Sequence, residues 1–250
     1  MSGAILILDG MCGRYASFRE DQQLADEFAV ATVADDVRLL PPSWNIAPTE
    51  GVRVVVARPD PHGEIVRQLR VATWGLVPSW AKEPSLGKRF VNARAESLGQ
   101  SNVFARPFAT RRALLPADGY YEWQKLTEGR RQPFYIHPAD GGMLALAGLY
   151  EFWRDRTKAD DDPQRWLVTA VIITRPASAE LAHLHDRQPL MLTPDLWAAW
   201  LDPAVGADGA AGLLGAEPPA LQAIPIGHAV NSVRNNGPEL LTPSGAEPRA

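Results

Sequence analysis

Ala113-Leu114-Leu115-Pro116-Ala117-Asp118-Gly119-Tyr120-Tyr121-Glu122-Trp123 sets an apolar run, a Pro/Asp/Gly corner and an aromatic run in immediate succession. Short runs of this composition bounded by turn residues read as β-strands. Pro133–His137 and Leu144–Tyr150 supply two more, and Glu128-Gly129-Arg130, ahead of the first of these, suits a hairpin turn. The segment therefore reads as a β-meander. Glu122 stands between Tyr121 and Trp123. Facing inward, it would have aromatic surroundings, a raised pKa and the capacity to give and then take a proton near neutrality; facing outward, it would be a surface glutamate on an edge strand.

Working outward, Val52–Ala57 and Ile65–Trp74 read as strands, as do Leu167–Thr174 and Leu221–Ile226. Residues 19–29 set Leu24 and Phe28 four apart among charges and predict an amphipathic helix; Ala177–Leu184 and Pro194–Leu201 predict two more. Pro41-Pro42 ends any helix before Trp44, leaving Trp44-Asn45-Ile46-Ala47-Pro48 as a loop. Residues 154–165 are a charged solvent loop, 203–219 an Ala/Gly/Pro-rich linker around a weak helix, and 236–250 a flexible tail. No internal repeat, Walker motif or dinucleotide fingerprint is present.

At 250 residues and 46% hydrophobic the chain can bury a sizeable core. A single cysteine excludes an intrachain disulfide framework and fits a reducing compartment, and no stretch approaches the ~18 apolar residues of a membrane span. The expectation is a soluble, cytoplasmic protein. The net charge is −4, yet from Arg70 to Arg112 eight basic residues face only Glu83 and Glu96, enough for a phosphate-binding face or simply a solvated surface. Within that stretch Trp74-Gly-Leu-Val-Pro78-Ser-Trp80 holds two indoles on a stiff loop, either stacking platforms for unpaired bases or core residues. Alternation after it would put Asn92, Arg94 and Glu96 on one face.

The one cysteine, Cys12, directly follows Met11. Residues 1–11 read as a misassigned start or a removable leader, and either would make Cys12 N-terminal. An α-amine beside a thiol condenses with an aldehyde to an imine, which the thiol then closes into a five-membered thiazolidine; that closure is intramolecular and gains from effective molarity. A lone cysteine is otherwise a small buried hydrophobe. His183 and His185 are spaced as a metal pair could be, but no second Cys or His cluster completes a site, so no metal is expected; beside Asp186 and Arg187, His185 suits proton shuttling or a capping role.

Met-Cys-Gly-Arg at 11–14, Trp-Asn-Ile-Ala-Pro at 44–48, Trp-Gly-Leu-Val-Pro-Ser-Trp at 74–80, Asn-Ala-Arg-Ala-Glu at 92–96, Pro-Ala-Asp-Gly-Tyr-Tyr-Glu-Trp at 116–123 and His-Asp-Arg-Gln-Pro at 185–189 together resemble, in order, the motifs of the SRAP family, the SOS-response-associated peptidase-like proteins that shield abasic sites. The resemblance implies an α+β fold, a single SRAP-type domain over residues 12–235 with a barrel-like, mainly antiparallel β core flanked by helices. It implies a groove for single-stranded DNA containing abasic sites, ending at a Cys12 that captures the ring-opened aldehyde as a thiazolidine crosslink. Asn92 would orient the cysteine or the sugar, Glu122 would transfer protons, and His185 would stabilise the opened sugar. Arg14, Arg94 and Arg187 would hold phosphates, with Trp44, Asn45, Pro48, Trp74 and Pro78 near flanking nucleotides. No cofactor is implied; the chain would act as a monomer, nucleoid-associated when on DNA, and serve replication. The family commonly has methionine where Gln188 stands. The competing readings are a thiol peptidase or autopeptidase using Cys12, and a non-covalent reader of modified or single-stranded DNA; an AP-lyase-like strand break could accompany the crosslink.

Overall fold

The computed structural model describes residues 13–245. Its strands and helices, in chain order, are β1 (Tyr15–Ser17), α1 (Asp21–Glu27), β2 (Thr32–Val33), β3 (Ser43–Ile46), β4 (Gly51–Pro59), β5 (Ile65–Trp74), β6 (Asn92–Arg94), α2 (Ala105–Thr110) and β7 (Arg112–Ala117). There follow β8 (Gly119–Lys125), β9 (Arg131–Pro138), β10 (Leu144–Arg154), β11 (Trp166–Pro176), β12 (Arg187–Pro189), α3 (Pro194–Leu201), α4 (Ala207–Ala211) and β13 (Leu221–Pro225). Among the described residues no helix is long and apolar enough to cross a membrane.

Strands β11, β10, β7, β4 and β5 pair in that order, each antiparallel to the next, and β5 returns to β11 in parallel through Thr73–Thr169 and Trp74–Ala170. That last pairing closes a five-stranded mixed barrel, with β2, β6 and β12 added at its margins. A second, antiparallel sheet runs β13-β9-β8-β1-β3. Successive side chains on a strand point to opposite faces, and the burial follows suit. Val52, Val54 and Val56 of β4 join Leu115, Leu146 and Ile172 in one cluster, with Tyr15, Ile46, Tyr120 and Ile136 of the second sheet. Val55, Leu114, Ala147 and Val171 face the other way, against Leu24, Phe28, Phe108, Trp197 and Trp200 around the helices. Both faces of the barrel are therefore covered, which is why its strands read as nearly unbroken apolar runs. At the tightest crossing β10 carries Gly148, where a Cβ would meet the Val171 carbonyl oxygen at 2.7 Å and the Leu115 side chain at 2.4 Å.

Several expectations change. The meander is split: Ala113 to Ala117 belong to the barrel, and Asp118 marks the crossing to the other sheet, where β8 and β9 form a hairpin before β10 returns beside β7. Asp118 holds the crossing by accepting from the Phe18 amide and pairing with Arg19. Residues 43–46 are a strand, not a loop, because β1 supplies a partner: Tyr15 faces Ile46 and Ser17 faces Ser43. Residues 177–184 form turns rather than a helix. Of the supposed tail, residues 236–245 are packed down, with Leu240 buried, Ile226 bridged to Pro243, and the Asn236 side chain accepting from the Trp44 amide.

Candidate active site

β1 lies beside β8, with Tyr15 opposite Tyr120 and the Tyr121 amide donating to the Arg14 carbonyl. Arg14 is therefore bonded beside Tyr121, the β8 residue that precedes Glu122. Alternation puts Glu122 on the barrel-facing side with Tyr120, while Tyr121 and Trp123 face the C-terminal segment. Glu122 is 5% exposed, an inward glutamate opposite Phe134 of β9. Cys12 lies outside the described residues, as do residues 1–11.

The turn that follows β11 packs against the same hairpin. Leu181 and Leu184 enter the barrel-interior cluster, the His183 ring meets Phe134 edge-on at 6.4 Å, and Gln124 donates to the His183 carbonyl. His185 comes next, its side chain four-fifths covered, with Nδ1 3.0 Å from the Arg187 amide nitrogen and 2.9 Å from an Asp186 carboxylate oxygen. Asn92 is half-buried on β6, paired beside Ile172, another member of the cluster. Asn92, Glu122 and His185 thus flank one hydrophobic cluster from three separate parts of the chain.

The expected DNA contacts divide. Trp74 has no exposed surface: it packs against Tyr15 at 5.3 Å, and its indole N–H donates to the Val91 carbonyl. It is a core residue, not a stacking platform. Pro78 is buried too, whereas Trp80 is 55% exposed. Asn45 is buried, accepting from Arg14 at 2.7 Å and donating to the carbonyls of Ser232 and Asn235, so it ties β3 to the C-terminal segment. Arg14 is buried with it and also donates to the Val230 carbonyl; burial pulls its pKa down, opposed by the charge of Glu50. Trp44 is half-buried and stacked on Phe18, with its carbonyl accepting the Tyr121 hydroxyl, whose pKa burial pushes up. Pro48 is half-buried and Arg94 exposed.

Arg187 is mostly covered and forms a two-pronged pair with Glu96, at 2.6 and 2.9 Å, while also donating to the Thr174 carbonyl. That bond holds the Glu96 carboxyl below its ordinary value of 4.5. A depressed carboxyl contributes stability above its unfolded pKa and loses it as pH falls through the lower folded one. Since Glu96 is half-exposed, Glu96→Gln is expected to cost well under ~1 kcal/mol at pH 7. Thermal melts of the two proteins should converge as pH drops below 4.

The basic stretch does not form one face. Arg112 is buried and donates to five carbonyls, those of Phe108, Ala109, Trp200, Asp202 and Val205, and Arg111 pairs with Glu151. Arg70, Lys82, Lys88, Arg89, Arg94 and Arg106 remain exposed. Lys82 and Arg89 line a recess with Trp80, Glu83, Ser85 and Leu86. The loop is cinched by Gly75 and Gly87: a Cβ on Gly87 would stand 2.5 Å from the Gly75 carbonyl oxygen. Trp80, Lys82 and Arg89 belong to the indole loop and basic stretch read from the sequence, though the resemblance implied no contact at them. Their signal was an aromatic just past a Pro and followed by cations, but sequence could not say which indole faces solvent.

A family profile described as SOS response associated peptidase (SRAP) matches residues 11–233. The chain is similar to the abasic site processing protein YoqW of Bacillus subtilis, 32% identical over 233 residues that cover 92% of this chain and 99% of the relative. It is equally similar to the abasic site processing protein YedK of Escherichia coli, 32% identical over 244 residues, 93% of this chain and all of that one. The abasic site processing protein HMCES of Gallus gallus is 30% identical over 228 residues, 81% of this chain and 66% of the relative. A crystal structure of a Bacteroides thetaiotaomicron protein has the same fold, with a TM-score of 0.79 over 93% of this chain and all of that one at 20% identity.

Proposed function

The chain belongs to the SOS response associated peptidase (SRAP) family, and on that premise we propose that it processes abasic sites in single-stranded DNA by covalent capture through Cys12. The observation that carries the reading is the register of β1 on β8, which sets Arg14 and Tyr15 beside the strand that carries the buried Glu122. Relatives of nearly the same length bear the name abasic site processing protein.

An abasic deoxyribose is in equilibrium between a closed hemiacetal and an open aldehyde. Glu122 takes the proton of the hemiacetal hydroxyl and delivers it to O4′ as the C1′–O4′ bond breaks, exposing the C1′ aldehyde. The Cys12 amine adds to C1′ and its proton moves to the new alkoxide oxygen; Glu122 then takes the remaining nitrogen proton while giving one to the hydroxyl, and water leaves to give an imine. The thiol sulfur then bonds to C1′, its proton passes to nitrogen, and the thiazolidine is closed. The whole sequence loses one water. Such proton transfer by a positioned carboxyl contributes about 10²–10⁴ in rate. Asn92 orients the reactants, and His185, with Nδ1 engaged, presents Nε2 to the opened sugar's oxygens.

The exposed Arg94 and the Trp80/Lys82/Arg89 recess supply a strand-binding surface, in which Trp80 stacks on a base. Trp80→Ala is expected to lose about 1–3 kcal/mol of single-strand affinity. Trp74→Phe should leave that affinity intact and instead lower stability by about 1–3 kcal/mol, because the Val91 carbonyl loses its donor. Fluorescence anisotropy and thermal melts on both variants separate the two tryptophans. The reading itself is tested by intact mass after incubation with single-stranded DNA carrying one abasic site. A chain beginning at residue 12 should gain the DNA mass less one water; a chain of that form with no mass gain would sink it.

A further inference from the structure

We infer that Gln188 is a positioning residue for His185, acting through the turn that carries it; the inference rests on the role proposed for His185. Residues 177–186 connect β11 to β12, and the base of the turn is closed by the Ala177 amide donating to the Asp186 carbonyl. Its first bend depends on Ser178, whose carbonyl accepts the amides of both Leu181 and Ala182; the second depends on Leu181, whose carbonyl accepts those of Leu184 and His185. Ser178 is in turn held by a side chain from beyond the turn: the Gln188 amide oxygen accepts the Ser178 N–H at 2.8 Å.

Gln188 is 1% exposed. A buried amide at this depth is destabilising unless it is hydrogen-bonded, and here an oxygen is placed where a hydrocarbon of equal volume would leave the Ser178 N–H orphaned. The bond spans the strand end, Gln188 opposite Arg175, and the start of the turn, so it fixes the turn against β12. The same three-residue strand begins with Arg187, whose amide is bonded to His185 Nδ1. One short strand therefore grips the turn at both ends, by backbone at the histidine and by side chain at Ser178. Those two grips, with the Asp186 carboxylate 2.9 Å from Nδ1, set the imidazole's direction, since a loosened first bend lets His185 rotate away from the Arg187 amide.

Gln188→Met keeps the volume and removes the acceptor; Gln188→Glu keeps an acceptor oxygen and serves as the rescue. Two readouts are taken. Without DNA, amide exchange at Ser178 and the His185 ring titration are followed by NMR. With abasic single-stranded DNA at saturation, the rate of adduct formation and its pH dependence are measured along with the Kd. In Gln188→Met, Ser178 exchange should accelerate at least about tenfold and the His185 titration should shift. Although the family commonly carries methionine here, this chain's turn is built on the Gln188 oxygen, so its adduct rate should fall about 10- to 100-fold, the cost of a catalytic group misplaced by an ångström or less. Its pH dependence should change while Kd stays constant, and Gln188→Glu should restore both rate and profile. Unchanged Ser178 exchange overturns the inference, and so does faster exchange with wild-type rate and pH profile. If the wild-type protein forms no adduct, the proposed function fails instead, and the exchange and titration alone decide whether Gln188 positions the ring.

Discussion

A Cys12→Ala chain that begins at residue 12 should form no adduct that survives denaturation, against complete capture by the parent. Alanine keeps the α-amine, so the first bond, nitrogen to C1′, still forms; what disappears is the sulfur that converts a hydrolysable imine into a ring. Borohydride added during incubation should therefore trap a reduced adduct in Cys12→Ala, and in neither protein should it trap one when Met11 still blocks the amine. These outcomes assign the amine and the thiol separately. A stable adduct from Cys12→Ala without reductant would overturn the role given to sulfur, and peptide cleavage by the parent in the absence of DNA would favour a thiol peptidase.

Glu122→Gln should slow adduct formation by about 10²–10⁴ while leaving single-strand affinity within twofold. The side chain is buried on the barrel-facing side of β8, opposite Phe134, and glutamine fills the same volume. The loss is therefore one of proton transfer, because an amide can neither take the hemiacetal proton nor return one to the departing hydroxyl. Rapid quenching under single-turnover conditions reads the rate directly. An oligonucleotide bearing a permanently open aldehyde adds a control: it bypasses ring opening, so a smaller deficit on that substrate would divide the Glu122 contribution between ring opening and imine formation. A rate within threefold of the parent on the abasic strand would remove Glu122 from the mechanism.

Where local pattern decides structure, the sequence was readable. β5 runs from Ile65 to Trp74 as alternation and branching predict, and α3 from Pro194 to Leu201, with proline in its first turn and Trp197, Trp200 and Leu201 buried. The glycine turn of the β8–β9 hairpin was equally plain, Gly129 taking a φ of +74°. What failed was whatever depends on partners distant in the chain. Residues 44–46 are a strand because β1 lies alongside, and Asn45 is buried because carbonyls from Val230 to Asn235 await its amide. The turn at 177–184 has helical composition, but Gln188 and Asp186 close it early. Of the proposed site, Asn92, Glu122 and His185 are read from motif, and their common neighbour, the barrel-interior cluster, emerges only from the fold. Arg14 and Arg112 look like any other surface cations in sequence; only the carbonyls around them show that they hold the interior together.

The hydrogen bond from Arg14 to the Val230 carbonyl joins residues 216 positions apart. By loop-closure scaling, bringing two such points together in a flexible chain costs about 5 kcal/mol of entropy, so this contact forms late, once the barrel has already gathered its strands. On the ribosome the consequence is temporal. The first segment to emerge carries Cys12, and the carbonyls that anchor its neighbour Arg14 are among the last to be made. Throughout synthesis Arg14 lacks the C-terminal carbonyl that holds it, and shortening the chain before Val230 should leave a barrel whose first strand has lost that anchor.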